Sequence, residues 1–247
     1  MIDKFYNTHG SFYGKFRNFH EATSFLKQTS SKKDYNIGYN NKVSALRVYQ
    51  RCKEISKNTS PTEYPLFLWL NKILQTEKEL SILDVGGAFG LHYYNFIKYA
   101  LHYKFHWTIY DVESIVDYAN MNGYKTEQLN FINNYREIDK IDILIASGSI
   151  QYIEEFSIND FKNKPRHLLF ERLPLNEKCE TFVTLQNATS SFNPQYVYNK
   201  NEFISTIKNI GYELVEEWKN YYDSCRIPEY PNESCYTYTG LYFRAIV

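Results

Sequence analysis

The stretch that decides the fold is Leu80-Ser-Ile-Leu-Asp-Val-Gly-Gly-Ala-Phe-Gly90, a short apolar run that leads directly into a cluster of glycines. The run from Leu80 to Val85 predicts a buried strand, and a helix is expected from about Phe89 to Tyr103. Glycines at such a turn let the backbone bend sharply and let a ligand approach without a side chain in the way. The first turn of the helix adds unpaired N–H groups and a positive dipole end. The sequence therefore predicts a site for a carboxylate or phosphate group at this turn.

Short apolar runs alternate with helical spacing through the rest of the chain. Further strands are expected over residues 106–110, 125–131, 141–146, 166–170, 212–218 and 236–247, with a helix over 199–210 and a strand or extended loop over 181–185. Repeated strand-helix units of this length are typical of a parallel sheet with right-handed crossovers. The expected fold class is α/β, with a Rossmann-like doubly wound sheet.

The first part of the chain has a different character. Residues 1–35 are rich in Phe and Tyr without a sustained period and predict an irregular arm that docks on the main body, whereas helices are expected over 41–56 and 61–77. Ser60-Pro-Thr-Glu63 carries the cap, the early proline and the glutamate of a helix start. We therefore expect an N-terminal cap over residues 1–77 and the main domain over 78–247, the cap serving as a lid, a homodimer contact or both.

Composition limits the functions available to the protein. Of its 247 residues, 28 are basic and 28 are acidic. This neutrality argues against a protein whose main function is to bind nucleic acid or an anionic membrane. Aromatic residues make up 18%, with 24 Tyr, which suits contact with polar small molecules. The four cysteines show no metal-ligand spacing. With no signal peptide and no membrane span in the sequence, a cytoplasmic location is expected.

The glycine cluster fits one of two nucleotide-binding patterns. A nicotinamide fingerprint aligned on Gly87 and Gly90 would need its first glycine at Val85, so that pattern is broken. The alternative pattern, acid-x-G-x-G-x-G, fits with Asp84, Gly86 and Gly90, and Ala88 stands in place of the middle glycine. This pattern resembles that of class I S-adenosylmethionine (SAM)-dependent methyltransferases.

Three further positions agree with a SAM site. Asp111 ends the second strand, where a carboxylate accepts hydrogen bonds from both ribose hydroxyls. Asn130 and Phe131 end the third strand, at the adenine position that the resemblance implies, and Ser147-Gly148 ends the fourth. The expected cofactor-binding residues are Asp84, Gly86, Gly87, Gly90, Asp111, Val112, Asn130, Phe131, Ser147 and Gly148.

Most of the chain takes part in the resemblance. Residues 80–175 and 211–247 look like a class I methyltransferase. More narrowly, the segments 83–94, 110–113, 147–153 and 171–175 resemble a little-characterised methyltransferase family whose members tend to be encoded among bacterial capsule and lipopolysaccharide genes. The resemblance implies a seven-stranded, mostly parallel sheet with an antiparallel last strand. It also implies SAM as methyl donor, S-adenosylhomocysteine as product, and a glycan or glycan precursor as acceptor.

The acceptor is expected at the carboxyl ends of the fourth and fifth strands. Glu171 is a candidate base and Arg172 a candidate clamp for an anionic group, although a surface or interdomain ion pair is an equally good interpretation of these two residues. His92 either faces the methyl group or is merely packed. Gln151, Tyr152 and Tyr94 are candidate substrate contacts. No metal ligands are expected.

One motif points elsewhere. Asn193-Pro-Gln-Tyr196 resembles a motif of enzymes that methylate exocyclic amines of nucleic-acid bases, but there it ends the fourth strand, whereas here it follows the fifth. The function expected is O-methylation of a small polar acceptor: a sugar, a sugar phosphate, or a capsule or lipopolysaccharide substituent. The alternative is a non-catalytic, cofactor-binding or scaffold subunit of a polysaccharide pathway.

Overall fold

The structure is a computed structural model that describes residues 2–29, 35–55, 59–77, 79–100 and 102–246. In chain order its helices and strands are α1 (Ile2–Asn7), β1 (Phe12–Phe16), α2 (Phe19–Thr29), α3 (Lys42–Ile55), α4 (Tyr64–Thr76), β2 (Leu80–Val85), α5 (Leu91–Phe96), β3 (Phe105–Tyr110), α6 (Glu113–Met121), β4 (Leu129–Ile132), β5 (Ile143–Ser147), β6 (His167–Leu173), β7 (Leu175–Asn176), β8 (Phe182–Asn187), β9 (Phe192–Asn199), α7 (Lys200–Asn209), β10 (Tyr212–Asn220) and β11 (Tyr238–Ala245). Residue 56, the predicted end of the helix over 41–56, lies outside the described residues.

The main sheet has seven strands in the order β10-β11-β6-β5-β2-β3-β4. Neighbouring strands from β6 to β4 are parallel, whereas β11 runs antiparallel to both β6 and β10. The prediction of an α/β fold built on a seven-stranded mixed sheet is therefore confirmed. The strand order reverses between β2 and β5, and ligands of open α/β sheets bind outside the carboxyl ends of strands at such a point.

Several predicted elements are shorter in the structure, among them the helix after β2 and the third predicted strand. The helix expected over 89–103 is confined to Leu91–Phe96, and turns follow it. Its Tyr and Asn residues are weak helix formers, so that the apolar spacing overstated its length. The third strand starts at Leu129 because Thr126 and Leu129 close a turn through two hydrogen bonds of 2.9 and 3.0 Å.

A second sheet, of four strands in the order β1-β8-β9-β7, was not predicted. The prediction of an irregular arm over residues 1–35 is wrong, since α1, β1 and α2 are regular and β1 pairs antiparallel with β8. β9 was not predicted because it contains Pro194, and proline disfavours a strand in most positions. Proline is tolerated at a sheet edge, and β7 pairs with β9 only through Tyr198 and Asn199.

The core lies in layers set by these sheets. One apolar cluster fills each face of the main sheet, including Trp107 on one side and Phe170 on the other. α1 and α2 pack Phe5 and Leu26 on one face of the small sheet. Its other face contacts the loop 221–237, through residues such as Phe12, Phe182, Cys225 and Tyr238. None of the helices in the described ranges is both long and apolar enough to cross a bilayer.

Candidate active site

The loop after β2 bends because three of its residues adopt left-handed backbone angles. The φ angles of Gly86, Ala88 and Gly90 are 71°, 51° and 81°. The backbone of Gly86 donates to the carbonyl of Tyr110 over 2.7 Å, which ties the loop to β3. A side chain at Gly86 would bring a Cβ within 2.4 Å of the Ser149 Cβ. The loop is therefore held as a narrow turn over the carboxyl end of β2, with no side chain at this glycine.

Gly87 has a different reason to lack a side chain. A Cβ there would lie 2.6 Å from the carboxyl carbon of Asp84. Asp84 is fully buried, and its Oδ1 has no hydrogen-bond partner in the described structure. The sequence pattern of one acid followed by glycines thus corresponds to a buried carboxylate covered by bare backbone.

His92, in the first turns of α5, pairs with this carboxylate. Its Nδ1 lies 3.1 Å from Asp84 Oδ2. Burial lowers the pKa of His92, but the charge and the hydrogen bond of Asp84 raise that pKa further, to about 9. His92 is consequently a cation at neutral pH and holds no free lone pair for proton abstraction there. The expectation that His92 is merely packed is incomplete, because its charge neutralises the buried carboxylate of Asp84.

Asp111, at the end of β3, caps the glycine loop. Its Oδ2 accepts the backbone N–H of Ala88 at 2.9 Å, and its Oδ1 accepts that of Val112 at 2.8 Å. Burial raises the pKa of Asp111 to about 6, partly offset by these two donors. One strand further out, Asn130 is partly exposed, whereas Phe131 is buried in the core. Asn130 and Phe131 pair with Thr108 and Ile109 of β3, so the predicted adenine residues lie within the strand pair, three and two residues before Asp111 in register.

The carboxyl ends of β5 and β6 hold the second candidate acid. Ser147 is paired with Glu171 across the two strands and donates its Oγ to Glu171 Oε2 at 3.2 Å. Glu171 Oε1 is buried and has no hydrogen-bond partner among the described residues. Burial raises the pKa of Glu171 to about 7, against the lowering effect of the His92 charge and then of the Arg172 charge. Glu171 therefore changes protonation near neutral pH.

Another buried acid in this region, Glu63, was not predicted as part of the site. Glu63 was expected only as the glutamate of a capping box, which it forms by accepting the backbone N–H of Ser60 at 2.7 Å. It is 4% exposed, and Asn95 donates to both of its oxygens at 3.1 and 3.2 Å. Its charge is among those that raise the pKa of His92.

Arg172 forms an ion pair, but not with its sequence neighbour Glu171. Instead its Nε and Nη2 donate to the two oxygens of Asp223, at 2.9 and 3.1 Å. Asp223 belongs to the loop between β10 and β11, so the guanidinium links that loop to the end of β6. The sequence around Arg172 did not identify Asp223 as its partner, since 51 residues separate the two.

Arg172 and Asp223 line a cavity of about 230 Å³. The other residues that line it come from the segment after β5, from the small sheet and the turn before it, from the loop 221–237 and from the start of β11; they are Gly10, Phe12, Gly148, Gln151, Tyr152, Gln186, Tyr222, Ser224 and Tyr238. Two of the predicted substrate contacts, Gln151 and Tyr152, are thus brought together here with the predicted Gly148. The lining residues of the small sheet and of the loop carry no local motif, and only their tertiary pairing reveals them.

Hydrogen bonds join the two sides of this cavity. Tyr152 donates its hydroxyl to Gln186 Oε1 at 2.8 Å, and Tyr39 donates to the same oxygen at 3.3 Å. Gln151 is 1% exposed; its Nε2 donates to the carbonyl of Arg172 at 3.4 Å, and its Oε1 has no partner. Among the described residues, Gln151 thus places a buried amide acceptor without a partner in the wall of the cavity.

Two other motifs lie away from the cavity. The ring of Tyr94 packs against that of Tyr93 and borders Gly90, so its predicted contact with an acceptor remains a prediction. Asn193-Pro-Gln-Tyr196 lies within β9 of the small sheet rather than at the end of a main-sheet strand. The described residues contain no group of three His, Cys, Asp or Glu placed to hold a metal ion.

No protein-family model matches the sequence, and no curated protein matches it. Solved structures do resemble the chain. The Burkholderia thailandensis 1,6-didemethyltoxoflavin-N1-methyltransferase, solved with 1,6-didemethyltoxoflavin and S-adenosylhomocysteine, has 12% identity and a TM-score of 0.52 over 83% of this chain and 87% of its own. A chain from the complex of the Haloferax volcanii Trm112 methyltransferase activator with a putative methyltransferase has 12% identity and a TM-score of 0.50, over 81% of this chain and 96% of its own. At this level of identity the likeness establishes the fold: the chain has the fold of SAM-dependent methyltransferases.

Proposed function

We propose that the protein is a SAM-dependent methyltransferase that transfers a methyl group to a hydroxyl of a small polar acceptor. The observation that carries the proposal is the left-handed glycine loop over buried Asp84, tied to Asp111 at the next strand. The loop lies at the point where the strand order reverses, which is where this class of sheet binds ligands.

The residues present fit the proposed cofactor. Asp84 Oδ1 is a buried acceptor without a partner, which complements the ammonium group at the amino-acid end of SAM. Each oxygen of Asp111 accepts one backbone N–H and retains a lone pair for a ribose hydroxyl. Val112, which follows Asp111, and Asn130, on the neighbouring strand β4, are partly exposed and are the residues proposed for adenine. When bound, SAM supplies an electrophilic methyl group.

Glu171 is the residue we propose to take the proton of the acceptor hydroxyl. Its Oε1 has no hydrogen-bond partner, and its pKa of about 7 lets it be ionised at physiological pH and still bind a proton. His92 is excluded from this role at neutral pH because its pKa is about 9. A positioned base of this kind contributes on the order of 10²–10⁴ in rate, in addition to alignment of the reactants.

The acceptor class remains the one expected from the sequence: a sugar, a sugar phosphate, or a capsule or lipopolysaccharide substituent. The resemblance to methyltransferases encoded among bacterial capsule genes supports it, as does the polar lining of the cavity beside Gly148. A cytoplasmic location and the absence of a nucleic-acid substrate belong to the same proposal. So do a cap role for residues 1–77 and their contact in a homodimer.

Calorimetry with SAM tests the cofactor. The protein should bind SAM with micromolar affinity, and Asp111→Ala should lose roughly 1–3 kcal/mol because ribose hydroxyls are left unmatched. Asp117→Ala, which changes an exposed aspartate of the adjacent helix α6, is the matched control and should bind like the wild type. Equal affinity of the Asp111 variant and the wild type would refute the ribose role.

Transfer of label separates catalysis from the non-catalytic alternative. The protein is incubated with methyl-labelled SAM and with polysaccharide or nucleotide-sugar fractions, and glycan-bound label is measured. Label in a glycan establishes the activity, and Glu171→Gln should then reduce its rate. Tight SAM binding with no label in any fraction would favour a cofactor-binding scaffold subunit instead.

A further inference from the structure

The charges that line the cavity cancel each other. Arg172 and Asp223 are its only charged lining residues among the described parts of the chain. They form a two-pronged pair, with donor–acceptor distances of 2.9 and 3.1 Å. Such a pair satisfies both the guanidinium edge and the carboxylate. A phosphate or carboxylate entering the cavity would meet a cation that is already neutralised and an acidic group next to it.

The remaining polar groups in the cavity are neutral. Gln151 offers an unpartnered Oε1 on a side chain that is 1% exposed. Gln186 accepts two tyrosine hydroxyls with its Oε1, which orients the amide and leaves its Nε2 with no hydrogen bond to any described residue. Ser224 adds a hydroxyl. Since a hydroxyl of a ligand both donates and accepts, fixed amide acceptors and donors on facing walls match a hydroxyl-rich ligand.

The cavity also has an aromatic side chain in its lining and a limited volume. Tyr222 lines the cavity and is 74% exposed, so its ring is accessible to an entering ligand. A tyrosine ring has both an apolar face and a polar tip, as the faces and edges of a sugar ring require. The volume of about 230 Å³ is below the roughly 300–1,000 Å³ of pockets for drug-sized ligands. It suits one ring-sized unit.

We propose that this cavity holds the acceptor as an uncharged, hydroxyl-rich ring, such as a neutral monosaccharide unit, and discriminates against its phosphorylated or carboxylated forms. Gln151 and Gln186 bind hydroxyl groups, and Asp223 removes the anion-binding capacity of Arg172. The inference rests on the proposed methyl transfer for the role of the ligand as acceptor. It narrows the acceptor class, which otherwise includes sugar phosphates.

Calorimetric titration measures the discrimination directly. The probes are methyl glycosides of the common hexoses and the matching hexose 6-phosphates, with and without S-adenosylhomocysteine. At least one neutral glycoside should bind saturably, about tenfold or more tighter than its phosphorylated counterpart. Tighter binding of the phosphates, or no saturable binding of any neutral glycoside, would overturn the inference. Because the titrations without cofactor need no SAM site, a failure to bind SAM would count against the proposed function alone.

Variants identify the side chains that cause the discrimination between neutral and phosphorylated ligands. Asp223→Asn frees Arg172 and should increase affinity for a hexose 6-phosphate about tenfold or more. Gln151→Leu should weaken the binding of the neutral glycoside by a similar factor, while the affinity for SAM stays unchanged. The matched control is Asp139→Asn, which removes an exposed carboxylate that is paired with Lys162 at 2.8 Å and does not line the cavity. Circular dichroism verifies that each variant folds. If Asp223→Asn and Asp139→Asn show the same phosphate affinity, the proposed role of Asp223 is wrong.

Discussion

Asp84 and His92 form a buried acid–base pair directly beneath the glycine loop, with 3.1 Å between Asp84 Oδ2 and His92 Nδ1. The pair joins the end of β2 to α5, the two elements that hold the loop between them. Because the carboxylate has no exposed surface, the imidazolium provides the charge that makes its burial tolerable. The pair therefore couples the protonation of one histidine to the stability of the whole site.

The pH dependence of stability follows from this pair. The pKa of His92 is about 9 in the folded protein and about 6.5 in the unfolded chain. Between these values the folded state binds more protons, so its stability must fall as the pH rises from about 6.5 to 9. The contribution is complete below pH 6.5 and amounts to roughly 3 kcal/mol. Urea unfolding at half-unit pH steps measures it.

Two variants assign this pH dependence. His92→Gln should be less stable than the wild type at pH 6 and should lose most of the decline towards pH 9. His106→Gln changes an exposed histidine of β3 and should reproduce the wild-type curve. A decline of equal size in the His92 variant would show that other groups cause it.

The affinity for SAM should depend on the protonation of Asp111, and it should fall towards acidic pH, whereas stability falls towards alkaline pH. Its pKa of about 6 means that acidification below this value protonates the carboxylate and removes acceptor capacity for the ribose. The affinity for SAM should therefore fall by up to about tenfold per pH unit below pH 6 and be constant above it. Asp111→Asn should bind weakly with no such dependence. Calorimetry from pH 5 to 8 tests both statements, and a wild-type affinity that is independent of pH would contradict them.

The rate of methyl transfer should rise with pH through the pKa of Glu171. This carboxyl accepts a proton only when ionised, so log kcat/KM should increase with a slope of about one below pH 7 and level off above it. Glu171→Gln should lower kcat by about 10²–10⁴ and abolish the inflection. Glu216→Gln, at an exposed position on β10, is the control. A Glu171 variant that retains the inflection would assign the titration to another group.

The sequence predicted the residues of the proposed cofactor site but only some of those of the proposed acceptor cavity. Asp84, the glycines and Asp111 are recognisable because strand ends and turns are encoded within a few residues. Gln186 and Asp223 reach the cavity through contacts over long sequence separation: β1 pairs with β8 at Phe12 and Gln186, and Asp223 pairs with Arg172. No local period encodes such contacts. The small sheet was missed for the same reason, since its strands combine the first residues of the chain with a segment that contains Pro194.

Ala88 offers a test of the loop itself. It occupies the middle-glycine position of the motif with a φ of 51°, a left-handed conformation that costs an L-residue roughly 1–2 kcal/mol. Ala88→Gly removes this strain but makes the unfolded chain more flexible, at a cost of about 0.4–1 kcal/mol. The free energy of unfolding should therefore rise by roughly 0.5–1 kcal/mol. The same change at Ala119, inside helix α6, should instead lower it by about 1 kcal/mol. Urea unfolding at one pH compares the two, and destabilisation by Ala88→Gly would mean that the loop does not hold the left-handed turn in solution.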